Sequence, residues 1–258
     1  NENTDTSKLC WWNYHYQINA TITSEAGESQ RAHTELSLNS CPLELNIMFK
    51  DKSLTNQSKI FKEDASLLTF EVTNLEGVPI HTQVNYQLFQ TNELKEHAEM
   101  DSRYKKFCQH VHSGTFVSNQ PHALDFLKDL PSACYKIVAK TALEGQKDSV
   151  QRMVYFTKYS KEETKVPIGA IDWFNWLNSK VAVGEPARLQ FGTREKDAHI
   201  QMDIFSEKEH IESRHFTMSD TVQTFTFDYQ PEYGRYMYVS VMYVKDGRVH
   251  TYSQYLEK

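Results

Sequence analysis

The chain has 258 residues, 39% hydrophobic and 12% aromatic, and a formal net charge of −6. That is enough apolar side chain for more than one core at roughly 100 residues per all-β unit, and a mildly acidic chain with interspersed signs argues against nucleic acid as its main partner. No apolar run reaches the roughly 18–20 residues of a membrane span, and the polar start Asn1-Glu2-Asn3-Thr4-Asp5 lacks a signal-peptide core, so either a leader has been removed or the segment is cut from a longer chain.

Taken in order, the first periodic stretch is residues 16–22, with Tyr16, Ile18, Ala20 and Ile22 alternating with polar residues before a turn at Gly27 and a second β-rich run over 32–38. Residues 43–47 alternate in the same way. Over 68–89, Leu68, Phe70 and Val72 alternate with Thr69, Glu71 and Thr73; a turn at Asn74-Leu75-Glu76-Gly77 follows, then a run with Val84, Tyr86 and Leu88 on one face. Period-two spacing on both sides of a glycine turn predicts a β-hairpin with one buried face. Gly77 supplies positive φ, and Pro79 stands at a strand entry, where no ladder N–H is needed. A polar loop is expected over 91–106, a strand over 107–117 and at most a turn or two of helix over 119–130. After a charged connector at 161–165, Asp172-Trp173-Phe174-Asn175-Trp176-Leu177 reads as core or as an interdomain seam. A second central hairpin is predicted from 187–191 and 200–204.

One hairpin type occurs three times. Tyr16, Tyr135 and Tyr236 each open a β-rich run that turns at Gly27, Gly145 or Gly247 and is followed by another. The tyrosines recur at intervals of 119 and 101 residues, the size of a β-sandwich and far above a solenoid repeat. Each is read as a corner tyrosine whose hydroxyl ties back to nearby backbone. If each hairpin closes a domain, the units are 1–41, 42–160 and 161–258, the first a truncated piece, because a lone hairpin cannot bury enough surface.

Chemistry is sparse. There is no GxSxG, no HExxH, no phosphate loop and no dinucleotide fingerprint, so no catalytic or cofactor residue is assigned and the chain reads as non-enzymatic. Cys10, Cys41, Cys108 and Cys134 allow two disulfides in three pairings, or remain thiols. Cys108, His110 and His112 share a face if their segment is a strand; with His122 downstream, that is a weak zinc or copper pattern, and no metal is assigned. Asn19 and Asn56 head N-glycosylation sequons. Exposed aromatics would offer a sugar platform, but exposure is not legible at this stage.

The run Phe70-Glu71-Val72-Thr73-Asn74-Leu75-Glu76-Gly77-Val78-Pro79-Ile80 resembles the strand, N/D-x-x-G-x-P-hydrophobic turn and strand of macroglobulin domains in the α2-macroglobulin family. Cys134-Tyr135-Lys136-Ile137-Val138-Ala139 with Glu144-Gly145 resembles the closing hairpin of such a domain, with Ala133-Cys134 where a small residue or glycine is usual. Tyr16 and the residues to 38 are similar to the closing hairpin of a preceding domain in bacterial members, and Trp176 with Val183-Gly184-Glu185-Pro186-Ala187 to the start of the next. The resemblance implies an all-β chain of tandem antiparallel β-sandwich domains, immunoglobulin- or fibronectin-like, in an extracytoplasmic (periplasmic, cell-envelope or secreted) peptidase inhibitor. Its partners would be other domains of the parent chain and proteases taken through a bait segment, with no nucleic acid and no membrane span. The family's Cys-Gly-Glu-Gln thioester run and a bait-like stretch are both missing here, so the implied role is a non-catalytic scaffold. The competing readings are a cell-surface adhesion or ligand-binding protein of immunoglobulin-like sandwiches and, behind it, a carbohydrate-active module.

Overall fold

Apolar and polar side chains alternate, with β-branched and aromatic residues crowding the apolar positions, and this folds most of the chain into strands. The computed structural model describes residues 13–39, 42–50, 52–56, 58–65, 67–93, 106–145, 149–178, 180–182 and 184–257. Among these the fold is all-β, built of antiparallel sheets in sandwich layers. Among the described residues one short α-helix, α1 (Phe126–Asp129), falls in the stretch where a turn or two is expected. The chain divides into two compact units: residues up to Phe89 with Gln109–Asp129 and Tyr135–Phe156, and Gln90–Cys108 with Leu130–Cys134 and Thr157–Lys258.

Strands β1 (Asn13–Thr23) and β2 (Ser29–Asn39) pair only with each other. On this ribbon Tyr16 and Ile18 are about half exposed and Ile22 more so. The alternation is the one expected, yet among the described side chains, residues 16–35, none is buried. Tyr16 is therefore not a core tyrosine among the described residues.

The first sandwich has one sheet ordered β4-β3-β6-β9, from β3 (Leu43–Phe49), β4 (Lys52–Ser53), β6 (Leu67–Asn74) and β9 (His122–Ala123). The other is ordered β5-β11-β10-β7-β8, from β5 (Ser58–Phe61), β7 (Gln83–Thr91), β8 (Cys108–Val117), β10 (Ala133–Ala142) and β11 (Ser149–Tyr159). Leu68, Phe70 and Val72 on β6 and Val84, Tyr86 and Leu88 on β7 are all buried, as the alternation predicts. The pairing differs from the prediction. β6 and β7 lie in opposite sheets and meet face to face, with the Phe70 and Tyr86 rings 5.6 Å apart. Only the first residues after the turn return along β6: Thr73 bridges Pro79, and the Ile80 N–H donates to the Val72 carbonyl at 2.8 Å. The chain then crosses to the second sheet. Two strands with matching apolar faces gain more by stacking those faces than by pairing side by side, because each fully buried large apolar side chain is worth about 1.5–3 kcal/mol.

The second sandwich repeats the plan. Strands β12 (Asp172–Trp176), β13 (Pro186–Thr193) and β16 (Thr221–Asp228) form one sheet in the order β12-β13-β16. Strands β14 (Ala198–Ser206), β15 (His210–Met218), β17 (Tyr236–Lys245) and β18 (Arg248–Glu257) form the other, ordered β15-β14-β17-β18. The predicted hairpin of 187–191 with 200–204 is again an arch between sheets, since β13 and β14 do not pair. Set β4 and β5 aside and the two sandwiches share one strand order: first, second and fifth in one sheet; fourth, third, sixth and seventh in the other. Phe174 and Trp176 join the second core, whereas Trp173 on the opposite face packs against Tyr159 at 4.9 Å.

The recurring tyrosines do not play one part. Tyr135 is buried and stacks on Phe156 at 5.6 Å. Tyr236 faces outward, because β17 buries Met237, Val239, Val241 and Tyr243 instead. A one-residue phase shift flips every side chain of a strand. The tyrosine tied to backbone at this corner is Tyr229, fully buried, whose hydroxyl donates to the Gly234 carbonyl at 2.9 Å.

Candidate functional site

Strand β8 carries the cysteine and two of the histidines singled out above. Cys108 is an exposed free thiol. His110 stands edge-on to the Phe89 ring at 5.5 Å. His112 Nδ1 is hydrogen-bonded to the Tyr86 hydroxyl at 3.0 Å, and its ring stacks on Phe126 at 4.3 Å. His122 Nε2–H donates to the Val117 carbonyl at 2.8 Å while its ring lies parallel on Phe116 at 4.0 Å. Among the described residues no three His, Cys, Asp or Glu side chains are grouped to hold a metal ion. The imidazoles pack on aromatic rings, His110 edge-on and His112 and His122 stacked, instead of forming a ligand set. Gly114 makes room for this packing: a Cβ there would stand 3.0 Å from the Tyr86 ring, so the ring lies over the bare backbone.

Cys134 is a free buried thiol, pushed up to about 11 by burial against weaker help from a Thr157 hydrogen bond and the Arg194 charge. It is an inert small apolar group. Cys10 and Cys41 lie outside the described residues. The sequon asparagines Asn19 and Asn56 are both exposed, and Asn56 Oδ1 accepts the Tyr155 N–H at 3.3 Å.

The densest polar constellation was not flagged by its sequence. Asp172 opens β12, and its side chain is only 1% exposed. The Tyr243 hydroxyl on β17 donates to Oδ1 at 2.7 Å, the Tyr252 hydroxyl on β18 donates to Oδ2, and His250 Nδ1 lies 3.3 Å from Oδ2. Thr193 Oγ1 meets the Tyr243 hydroxyl at 3.2 Å, and the His250 ring stacks on Tyr243 at 4.4 Å. Desolvation pulls the carboxyl upward, but hydrogen bonds from His250, Tyr252, Thr193 and Tyr243 together outweigh it and hold Asp172 below the usual range. The Tyr243 phenol is driven up by burial and then by the Asp172 charge.

An Asp, a His and two Tyr are also the parts of an acid–base centre. Here both carboxylate oxygens are taken, and substrate reaches neither without opening the sandwich. The arrangement joins β12 of one sheet to β17 and β18 of the other, so it acts as a polar clasp. One signal pointed to it: the inward positions of β18 read His250, Tyr252, Gln254, a polar series where a core strand would carry aliphatics.

No protein-family model matches the chain, and no curated protein matches it in sequence. Among solved structures, Salmonella α2-macroglobulin reacted with methylamine aligns over 95% of this chain and 17% of its own, at 8% identity and a TM-score of 0.35. Native E. coli α2-macroglobulin aligns over the same shares at 8% identity and a TM-score of 0.32. The tetra-tandem repeat in the extending region of a large adhesion protein aligns over 95% of this chain and 57% of its own, at 11% identity and a TM-score of 0.27. Likenesses this weak assign no family and no function. The chain spans less than a fifth of either macroglobulin.

Proposed function

We propose that this chain is a non-catalytic scaffold segment of a macroglobulin-like peptidase trap working outside the cytoplasm. Its domain division is 1–41, 42–160 and 161–258, and residues 1–41 contribute the closing hairpin of a preceding sandwich. The observation that carries this reading is the turn after β6. Asn74 Oδ1 accepts the Glu76 and Val78 N–H groups at 3.0 and 2.8 Å, Gly77 takes φ of 79°, and Pro79 begins the return. The residues of the N-x-x-G-x-P signature therefore each do a distinct mechanical job: side-chain acceptor, left-handed hinge and donor-free strand entry. Two sandwiches of one strand order support a string of such domains. The segment's work is to space and hold neighbouring domains of its parent, while proteases engage a bait elsewhere in that parent.

The test uses the full-length parent. After incubation with a broad-specificity protease, residual activity is measured on a small chromogenic peptide and on a large protein substrate. Caging spares the first and suppresses the second. If both activities are untouched, the trap reading fails and a surface adhesion or ligand-binding protein takes its place.

A further inference from the structure

The sheet β15-β14-β17-β18 has an outward face that a spacer role does not use. Its inward side chains, Ile200, Met202, Val239 and Val241 among them, fill the core. Its outward ones fall into rows that cross all four strands, because the register aligns them. One row is aromatic: His210, Phe205, Tyr238 and Tyr255 are successive register partners. Their ring centroids step 5.0, 6.0 and 4.8 Å across the sheet. Tyr236, on the same face, extends this wall and packs edge-on against Tyr255 at 5.3 Å. Tyr255 is 62% exposed.

The next row is small and hydroxylated. Ser213, Asp203, Ser240 and Ser253 are again successive partners, two residues further along each strand, or three on β15 where the register shifts. The row beyond is longer on three strands, with His215, Gln201 and Met242, and short again at Thr251 on β18, where the trough opens. A small row between taller ones leaves a trough running across the strands. With strands about 4.8 Å apart, it extends roughly 15 Å from first to fourth. Its wall is aromatic and its floor is three hydroxyls and one carboxylate.

The floor is pre-arranged. The Ser213 hydroxyl donates to Asp203 Oδ1 at 2.6 Å and the Gln201 amide donates to Oδ2 at 2.8 Å. His210 Nε2 lies 3.0 Å from the Ser213 hydroxyl and 3.9 Å from Asp203 Oδ1; a carboxylate has about four acceptor sites, so at least one remains for a donor arriving from the trough. Charge narrows the ligand. None of the three rows contains Lys or Arg, and their one carboxylate is Asp203. Phosphate and sulfate chains find no Lys or Arg here, only the imidazoles of His210 and His215 beside Asp203, and they meet the repulsion of the carboxylate itself. A second copy of the chain is disfavoured too, since a stable dimer buries about 800 Å² per partner around an apolar centre, and the centre of this face is serine and aspartate.

We infer that the trough binds a linear neutral oligosaccharide laid across the strands, with sugar C–H faces against Tyr238 and Tyr255 and sugar hydroxyls donating to Asp203. This holds whether or not the parent cages peptidases. The test titrates the 258-residue chain with hexamers of β-linked glucose, β-linked mannose and N-acetylglucosamine, with heparin as the polyanion. A neutral hexamer binds, and Tyr255→Ala and Asp203→Asn each weaken it about tenfold, the size of one aromatic contact, while the melting temperature holds. Tyr255 projects outward, so its truncation leaves the core intact and the test readable even if Asp203→Asn perturbs folding. The inference is overturned if no neutral hexamer binds at millimolar concentration, if Tyr255→Ala binds as tightly as the parent chain, or if heparin is preferred. It is equally overturned if the chain sediments as a dimer that Tyr255→Ala dissociates, because the face then belongs to a second copy.

Discussion

The two sandwiches share a strand order and close with the same kind of hairpin, β10–β11 and β17–β18, yet they are locked differently. In the first, aromatic rings seal the closure, with Tyr135 on Phe156 at 5.6 Å and Phe49 on Phe156 at 5.5 Å. In the second, β17 and β18 reach across to a buried carboxylate, Asp172, with two tyrosines, a threonine and a histidine around it. One topology thus accepts either lock. The apolar one is tolerant, because it only has to fill volume. The charged one is conditional, because a buried ion stabilises nothing once a partner is lost.

The largest expected effects come from breaking each lock in turn. Tyr135→Ala should cost the first sandwich about 3–5 kcal/mol through lost area and a cavity. A loss below about 1 kcal/mol in urea unfolding would show that Tyr135 is not a closing residue. Asp172→Ala should cost the second sandwich about 3–5 kcal/mol by leaving the buried phenols and imidazole without their acceptor. If it unfolds like the parent, the clasp is ornamental.

Acid separates the two locks more gently. The Asp172 carboxyl is held low in the folded state, so its contribution is fully present above its unfolded pKa of about 3.9 and is lost as pH falls through the lower folded value. Stability measured from pH 5 downward should therefore fall in the parent chain, and Asp172→Asn should flatten that part of the slope. Smaller still is Asn74→Ala, at about 1 kcal/mol for two turn hydrogen bonds whose donors can turn to water. Tyr236→Ala should be the smallest, within about 0.5 kcal/mol, because that ring stands on the outward face. A loss there as large as at Tyr135 would mean that the two hairpins share a phase after all.

Much of the sandwich class was legible. The inward faces of β6 and β7 follow from alternation alone, and Gly77 and Pro79 mark the turn between them. Alternation does not say whether two strands pair edge to edge or stack face to face, so an arch between sheets has the same sequence pattern as a hairpin. It also does not set phase where aromatics occupy both parities, as in Tyr236-Met237-Tyr238-Val239, and the wrong parity was favoured there. Cys108, His110 and His112 give only a weak metal pattern, because spacing shows a shared face but not the rings packed against His110 and His112.

By itself the sequence determined that this is an all-β chain with buried alternating faces, a turn whose signature residues each have a task, and a hairpin used three times. Those are local properties, set by side-chain period and by glycine, proline and asparagine backbone preferences. Only the tertiary structure decided which strands share a sheet, that Asp172 meets His250 and Tyr252 some 80 residues away, and that an aromatic row and a serine row align across four strands. Those depend on register between distant segments, which packing of whole faces fixes and no single stretch of chain contains.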